Sequence, residues 1–169
     1  VSEMKVGDPL DPNTRVGAIV SKPHYEKVLG YITLAKEEGA SVLCGGMALH
    51  PEGLEEGYYI APTILEGLST SARCNMEEIF GPVLTIQTFR TIDEVIQKAN
   101  NSPYGLAAGV WTDKGSRIFN LTTKLRAGVI WANTYNKFDP TSPFGGYKES
   151  GFGREGGLQG LGAYLKIER

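Results

Sequence analysis

Helical patterns alternate along this chain with short, nearly continuous apolar runs, and this alternation limits the possible folds more than any other feature. Apolar residues at helical spacing occur in 22–38, 92–99 and 118–125, and the apolar runs are 41–44, 83–89, 105–111 and 128–131. Strands that are apolar on both faces are typical of parallel sheets covered by helices. We therefore predict an α/β fold with an open, mostly parallel twisted sheet and helices on both faces.

Local signals place the ends of the predicted helices. Ser21 can cap the first helix, Gly39 can end it, and Gly30 inside it predicts close packing against another element. A capping box begins at Thr91 and opens the second helix. Asp113 is placed to cap the third helix.

Composition excludes several classes of function. A net charge of −2 gives no electrostatic reason to expect nucleic acid or a membrane surface as partner. No apolar run approaches the roughly 20 residues that a membrane span needs. Two cysteines, Cys44 and Cys74, are too few for a disulfide scaffold and favour a reducing compartment, so we expect a cytoplasmic protein. His24 and His50 stand apart from other ligand types, and we predict no metal site.

The run EEIFGPV at 77–83 has the character of a binding site. A carboxylate at the mouth of a strand can accept two hydrogen bonds from a vicinal diol such as a ribose, and an aromatic ring two residues later can pack on a flat ring. Gly81 permits a turn or a close approach, and Pro82 suits the start of a strand. The alternative is structural, with Glu77 and Glu78 capping a turn and Phe80 in the core.

A polar and aromatic loop at 133–142 follows the last apolar strand, and in open α/β sheets ligands bind beyond the carboxyl ends of strands. Phe138 and Phe144 bracket this loop, and a glycine-rich segment follows it. An interface loop without a ligand is the alternative. The glycines at 151–153 lack the spacing and the preceding strand of a dinucleotide fingerprint.

Four motifs in order resemble the NAD(P)-dependent aldehyde dehydrogenases. They are EEIFGPV at 77–83, NNSPYGLA at 100–107, GVIWAN at 128–133 and PFGGYKESG at 143–151. VGDP at 6–9 and the helix around 25–31 look like the same family, so the resemblance covers essentially the whole chain. It implies oxidation of a small aldehyde to a carboxylic acid with NAD or NADP, through a thiohemiacetal and a thioester formed on a cysteine.

The resemblance also implies that catalytic residues are missing from residues 1–169. The family's nucleophile, general base, oxyanion asparagine and Rossmann unit lie upstream of the matched region, and neither Cys44 nor Cys74 stands in the nucleophile's context. Because Val1 is not an initiator Met, we expect the later part of a catalytic domain with a C-terminal segment. A non-catalytic assembly or scaffold module is the alternative.

Six residues carry site roles by resemblance. Glu78 looks like the carboxylate that holds the nicotinamide ribose, and Phe80 like the aromatic beside the nicotinamide ring. Phe138 and Phe144 look like walls of the aldehyde tunnel. His24 and Lys27 lie where family members meet the adenosine ribose, although an ordinary solvated helix face is an equal alternative for that pair.

The resemblance implies a homo-oligomer, a dimer or a tetramer. The family usually continues the region 163–169 as a strand that joins a neighbouring subunit. We therefore expect the end of this chain to lie close to a subunit boundary.

Overall fold

A computed structural model describes residues 1–166 of the chain, which divides into two compact units, one of residues 1–88 and one that begins at residue 89. The predicted α/β class is confirmed. The first unit contains α1 (Lys22–Glu37), β1 (Ser41–Cys44), β2 (Ala48–Leu49), β3 (Tyr59–Ile60), β4 (Thr63–Glu66), α2 (Arg73–Met76) and β5 (Val83–Ile86). The second contains α3 (Ile92–Asn100), β6 (Tyr104–Gly105), β7 (Ala107–Val110), α4 (Gly115–Lys124), β8 (Val129–Ala132), β9 (Tyr147–Lys148) and α5 (Gly157–Leu161).

The sheet of the first unit has β4 at its centre. β5 pairs with β4 in parallel, from Thr63 opposite Val83 to Glu66 opposite Ile86, and β1 pairs with its other side in antiparallel direction. β2 and β3 form a separate antiparallel ladder. The strand predicted over 83–89 ends earlier, because its partner β4 ends at Glu66. The apolar run 41–44, which the sequence predicted as a short buried strand, forms the outer strand β1 instead, and its side chains are alternately exposed and half-buried.

Helix α1 begins and ends as its sequence predicts. The Ser21 hydroxyl accepts a hydrogen bond from the backbone N–H of His24, and Gly39 follows the helix with a φ of 91°. The close packing predicted at Gly30 is wrong. A Cβ built on Gly30 would meet no atom within 4 Å, so this glycine faces open space.

The hydrophobic core of the first unit joins one face of α1 to the sheet and to the segment before β5. Its buried members are Val28, Ile32, Ala35, Ile60, Leu65, Leu68, Ala72, Cys74 and Ile79. Burial of this size drives folding of the unit, because each buried apolar side chain contributes roughly 1.5–3 kcal/mol. The core therefore fixes the rotation of α1 relative to the segment at 77–81.

In the second unit, β7 and β8 form a parallel ladder from Ala107 opposite Val129 to Val110 opposite Ala132. β6 and β9 form a short antiparallel ladder. The strand predicted over 105–111 is therefore divided between β6 and β7, which pair with different partners. Both four-residue ladders between helix-connected strands, β4 with β5 and β7 with β8, are parallel, as the apolar character of these strands predicted.

The two longer helices of the second unit begin differently. Half of the capping box predicted at Thr91 forms as expected: the Thr91 hydroxyl accepts from the N–H of Glu94 at 3.2 Å, while the Glu94 carboxylate accepts from the N–H of Arg90 at 2.7 Å, one residue before the capping position. The cap predicted at Asp113 is wrong. The capping position of α4 is Lys114, whose own N–H donates to the Thr112 hydroxyl.

Asn100 ties the ends of α3 and α4 together. Its amide nitrogen donates to the carbonyl of Lys124 at 2.9 Å, and its amide oxygen accepts from the N–H of Arg126 at 2.7 Å. The Lys148 ammonium donates to the carbonyls of Asn100 and Ser102. These bonds satisfy carbonyls that a helix end leaves open.

Candidate functional site

Residues 77–81 lie against one stripe of α1, the α1 stripe, which consists of His24, Lys27, Val28 and Tyr31. These residues stand at i, i+3, i+4 and i+7 and therefore share a helix face. Each of them contacts a residue of the segment, as the following paragraphs describe. The core places the stripe, because Val28 is fully buried.

The Glu77 carboxylate accepts three hydrogen bonds from neighbouring side chains. Arg73 donates to it from Nε at 2.7 Å and from Nη2 at 2.9 Å, and the Tyr31 hydroxyl donates at 2.6 Å. These bonds lower the pKa of Glu77 from 4.5 to about 2, with the Arg73 bond as the largest cause. The same contact raises the pKa of Tyr31. Glu77 is therefore an anchor that ties the segment to α1 and α2.

Glu78 has the opposite environment. Its backbone carbonyl accepts from the Lys27 ammonium at 3.2 Å, while its side chain is exposed. Within residues 1–166, no group donates a hydrogen bond to the Glu78 carboxylate or forms an ion pair with it. Two adjacent carboxylates thus divide into one structural and one available group.

Phe80 is held in a strained conformation with its ring in solvent. Its φ is 58°, a region that bulky residues rarely adopt, and its side chain is 75% exposed. Its carbonyl accepts from His24 Nε2 at 2.6 Å, and the two rings meet edge to face at 6.2 Å. The alternative that placed Phe80 in the core is therefore wrong. Strain of this kind costs on the order of 1–3 kcal/mol and clusters at functional sites.

Gly81 is required for close approach. A Cβ on this residue would lie 2.7 and 2.9 Å from the two γ-carbons of Val28. The carbonyl of the next residue, Pro82, accepts from the N–H of Thr63 at 2.8 Å, and β5 begins directly after Pro82. The left-handed turn is made by Phe80 and not by the glycine after it.

The four residues predicted to bind the cofactor thus come together in the first unit. His24 is half-buried and Lys27 exposed, and both donate to carbonyls of the segment that carries Glu78 and Phe80. Tyr31 and Arg73 were not predicted from the sequence to belong to the site. The spacing of the α1 stripe was the signal that pointed to Tyr31, because it repeats every three or four residues.

The two predicted tunnel residues belong to an aromatic cluster in the second unit. The rings of Phe138 and Phe144 meet edge to face at 5.0 Å. Trp131, at the end of β8, packs against Tyr135, Phe138 and Phe144 at ring distances of 4.8, 5.4 and 6.4 Å. Trp131 and Tyr135 were not predicted to belong to the site, although Trp131 is part of the GVIWAN motif and Tyr135 follows the motif by two residues.

A cavity of about 240 Å³ opens beside this cluster. Its lining includes Trp131, Phe138 and Phe144. The Trp131 indole N–H donates to the carbonyl of Lys137 at 3.0 Å, so the indole orientation is fixed. An aromatic cavity of this kind can hold an apolar or cationic group.

The remaining candidates show no reactive geometry. Burial raises the pKa of the Cys74 thiol, which donates to the carbonyl of Tyr31 at 3.4 Å. The Cys44 thiol contacts the carbonyl of Pro62. Residues 1–166 contain no group of three His, Cys, Asp or Glu side chains that could hold a metal, and no helix among them is long and apolar enough to cross a membrane.

Comparisons with known proteins give one consistent result. A family model described as "Aldehyde dehydrogenase family" matches residues 1–169. The chain is 46% identical over 168 residues to 4-trimethylaminobutyraldehyde dehydrogenase of Mus musculus and 42% identical over 166 residues to betaine aldehyde dehydrogenase of Mesorhizobium japonicum. Each alignment covers 98% of this chain and 34% of the relative, so the chain spans about a third of the relatives' length.

Solved structures agree with these relatives. A putative aldehyde dehydrogenase from Burkholderia cenocepacia superposes with a TM-score of 0.93 at 42% identity, over 98% of this chain and 34% of that one. Betaine aldehyde dehydrogenase from Staphylococcus aureus in complex with NAD+ gives 0.92 at 39% identity, over 96% and 32%. Indole-3-acetaldehyde dehydrogenase of P. syringae in complex with NAD+ and IAA gives 0.91 at 43% identity, over 97% and 33%.

Proposed function

This chain belongs to the aldehyde dehydrogenase family, and we propose that it is the C-terminal third of a longer polypeptide that oxidises an aldehyde to a carboxylic acid with NAD or NADP. Residues 1–169 would then be the later part of the catalytic domain with the C-terminal segment. The nucleophilic cysteine and the Rossmann unit would lie in the preceding part of that polypeptide. The match to the family and the chain's coverage of a third of its relatives support this proposal.

The observation that carries the proposal is the environment of Glu78 and Phe80. A carboxylate with open acceptor positions stands two residues from an exposed aromatic ring, on a strained segment held by α1. Glu78 accepts hydrogen bonds from the two hydroxyls of the nicotinamide ribose, and the Phe80 ring packs beside the nicotinamide. The dinucleotide supplies the hydride acceptor, and these residues fix its orientation.

The aldehyde binds at the aromatic cluster of the second unit, with Phe138 and Phe144 as walls of its tunnel. We infer a substrate whose tail is a quaternary ammonium group, because aromatic faces attract such cations. Three rings, those of Trp131, Phe138 and Phe144, line one cavity, and relatives at 42–46% identity are named for trimethylamino and betaine aldehydes.

Replacing Glu78 by Gln in the full-length protein tests the cofactor site. The amide replaces one of the two acceptor oxygens by a donor NH2 group, so it cannot hold the two ribose hydroxyls through separate oxygens, and a misplacement of about 1 Å can cost ~100-fold in rate. We expect a slower hydride-transfer step, measured as a single-turnover burst of NADH, with unchanged aldehyde KM. Glu26→Gln, an exposed carboxylate on α1, is the matched control. Unchanged turnover and unchanged cofactor affinity in Glu78→Gln would refute the assignment.

The substrate tail is tested with a pair of aldehydes of equal shape, 4-trimethylaminobutyraldehyde and the neutral 5,5-dimethylhexanal. A cation–π contribution of about 0.5–2 kcal/mol predicts roughly 2- to 30-fold higher kcat/KM for the cation. Phe138→Leu should reduce this preference, whereas Phe119→Leu, an exposed phenylalanine on α4, should not. Equal kcat/KM for the two aldehydes would contradict the inferred class.

We also propose that the full-length protein is a homo-oligomer, a dimer or a tetramer, and that it works in the cytoplasm. Large apolar side chains are exposed near the end of the chain, among them Phe152, Leu158 and Tyr164, and both cysteines are free. The terminal intersubunit strand was expected over 163–169, but residues 163–166 form a turn and irregular backbone, and residues 167–169 lie outside the described part. Sedimentation of the full-length protein distinguishes a monomer from an oligomer.

A further inference from the structure

We propose that His24 and Lys27 are positioning residues that hold residues 78–80 in place, with Phe80 in its strained conformation, and that they do not bind the adenosine ribose. This inference rests on the proposed function, because it concerns the same cofactor site. His24 and Lys27 then affect hydride transfer without touching the nicotinamide, because they act only through the positions of Glu78 and Phe80.

Hydrogen bonds from α1 reach two nearby carbonyls of the segment. Lys27 Nζ donates to the carbonyl of Glu78, and His24 Nε2 contacts the carbonyl of Phe80 at 2.6 Å. A carbonyl oxygen only accepts, so His24 Nε2 carries the proton. Ile79, between the two carbonyls, is buried in the core. With the Ile79 side chain and both carbonyls held by protein, the Glu78 carboxylate and the Phe80 ring remain exposed.

The strain at Phe80 needs such an anchor. A phenylalanine at a φ of 58° persists only where its surroundings over-determine it. The bond from His24 fixes the carbonyl of that same residue, and the His24 ring meets the Phe80 ring edge to face. The bond from Lys27 carries a formal charge, which strengthens it. The Lys27 ammonium also lies 5.8 Å from the centroid of the Tyr31 ring, and this second contact helps to orient the Lys27 side chain toward the carbonyl of Glu78.

The test uses His24→Ala, Lys27→Met and His24→Gln in the full-length protein, with Lys22→Met as control. Lys22 lies on the same helix and pairs only weakly with Glu26, at 3.9 Å. We expect His24→Ala to slow single-turnover hydride transfer by roughly tenfold or more, since displacement of the cofactor by about 1 Å can cost ~100-fold. Lys27→Met should have a smaller effect, and His24→Gln, which keeps a donor, should recover most of the rate.

Binding of AMP, measured by calorimetry, separates positioning from direct contact. AMP carries the adenosine half of the cofactor without the nicotinamide. If the two residues act through the segment, His24→Ala and Lys27→Met bind AMP as the wild type does. Weaker AMP binding that matches the loss of NAD+ affinity would overturn the proposal, as would an unchanged hydride-transfer rate in His24→Ala.

A crystal structure of the His24→Ala protein decides the proposal independently of activity. We expect the φ of Phe80 to leave the left-handed region. A Phe80 that stays near 58° without His24 would overturn the proposal. Absence of NAD(P)-dependent aldehyde oxidation in the wild type would refute the proposed function, and this structural measurement would still decide whether His24 holds the segment.

Discussion

Gly81→Ala is expected to displace the cofactor-binding segment from α1. The new Cβ would lie 2.7 and 2.9 Å from the γ-carbons of Val28, which is fully buried and cannot move away. Carbon atoms pack at about 3.5–4.0 Å, so the segment must retreat by roughly 0.8 Å. A shift of that size at Phe80 and Glu78 predicts a loss of up to about 100-fold in hydride transfer.

The assay is single-turnover NADH formation by the full-length protein, with and without a second substitution. Val28→Ala removes both γ-carbons that the new Cβ meets. We therefore expect the double variant Gly81→Ala/Val28→Ala to transfer hydride faster than Gly81→Ala alone. The coupling between neighbouring core positions is typically 0.5–3 kcal/mol.

Gly30→Ala is the matched control for the same helix. Its Cβ would meet no atom within 4 Å, and alanine is preferred over glycine inside a helix by about 1 kcal/mol. It should raise the melting temperature slightly, by less than the roughly 2–4 °C typical of domains of 150–250 residues, and leave hydride transfer unchanged. Normal hydride transfer in Gly81→Ala, or failure of Val28→Ala to restore it, would refute the reasoning that contact between α1 and the segment sets the cofactor position.

Three further predictions concern stability and assembly. The folded pKa of Glu77, about 2, lies below its ordinary value of 4.5, so its contribution to stability is complete above pH 4.5 and is lost as the pH falls through 2. The melting temperature of Glu77→Gln should therefore vary less with pH between 4.5 and 2 than that of the wild type. An unchanged pH dependence in the variant would contradict this. Asn100→Ala removes the hydrogen bonds from the Asn100 side chain to the end of α4 and should lower the free energy of unfolding in urea by about 1–3 kcal/mol. An unchanged urea midpoint would show that water replaces these bonds. The 169-residue chain expressed alone should produce no NADH from aldehydes and should self-associate during sedimentation because large apolar side chains are exposed, and a compact monomer at all concentrations would argue against it.

The sequence predicted those features whose causes are local. Helix α1 follows from a capping serine, apolar spacing and a terminal glycine, and all three act within the helix. Strand ends were missed, because β5 ends where its partner β4 ends and not where its apolar run ends. The start of α4 was misplaced by one residue, since its capping position is Lys114 and not Asp113.

For the candidate site, the sequence identified the groups but not their arrangement. EEIFGPV predicted a carboxylate and an aromatic at a turn, and the structure brings both to one exposed segment. Nothing in the sequence indicates that His24 reaches the carbonyl of a residue 56 positions later. The positive φ was also unexpected at Phe80, because the adjacent Gly81 is the residue that such a turn normally uses.

The α1 stripe also limits how this family member can change in length. An α-helix turns by about 100° per residue, so a single inserted residue between His24 and Tyr31 would rotate the two ends of the stripe to different faces. The contact to Glu77 and the contact to Phe80 could then no longer form together, whatever residue was inserted. Insertions and deletions should therefore be absent from this part of α1 in functional descendants, while the loop at 50–57 can vary in length.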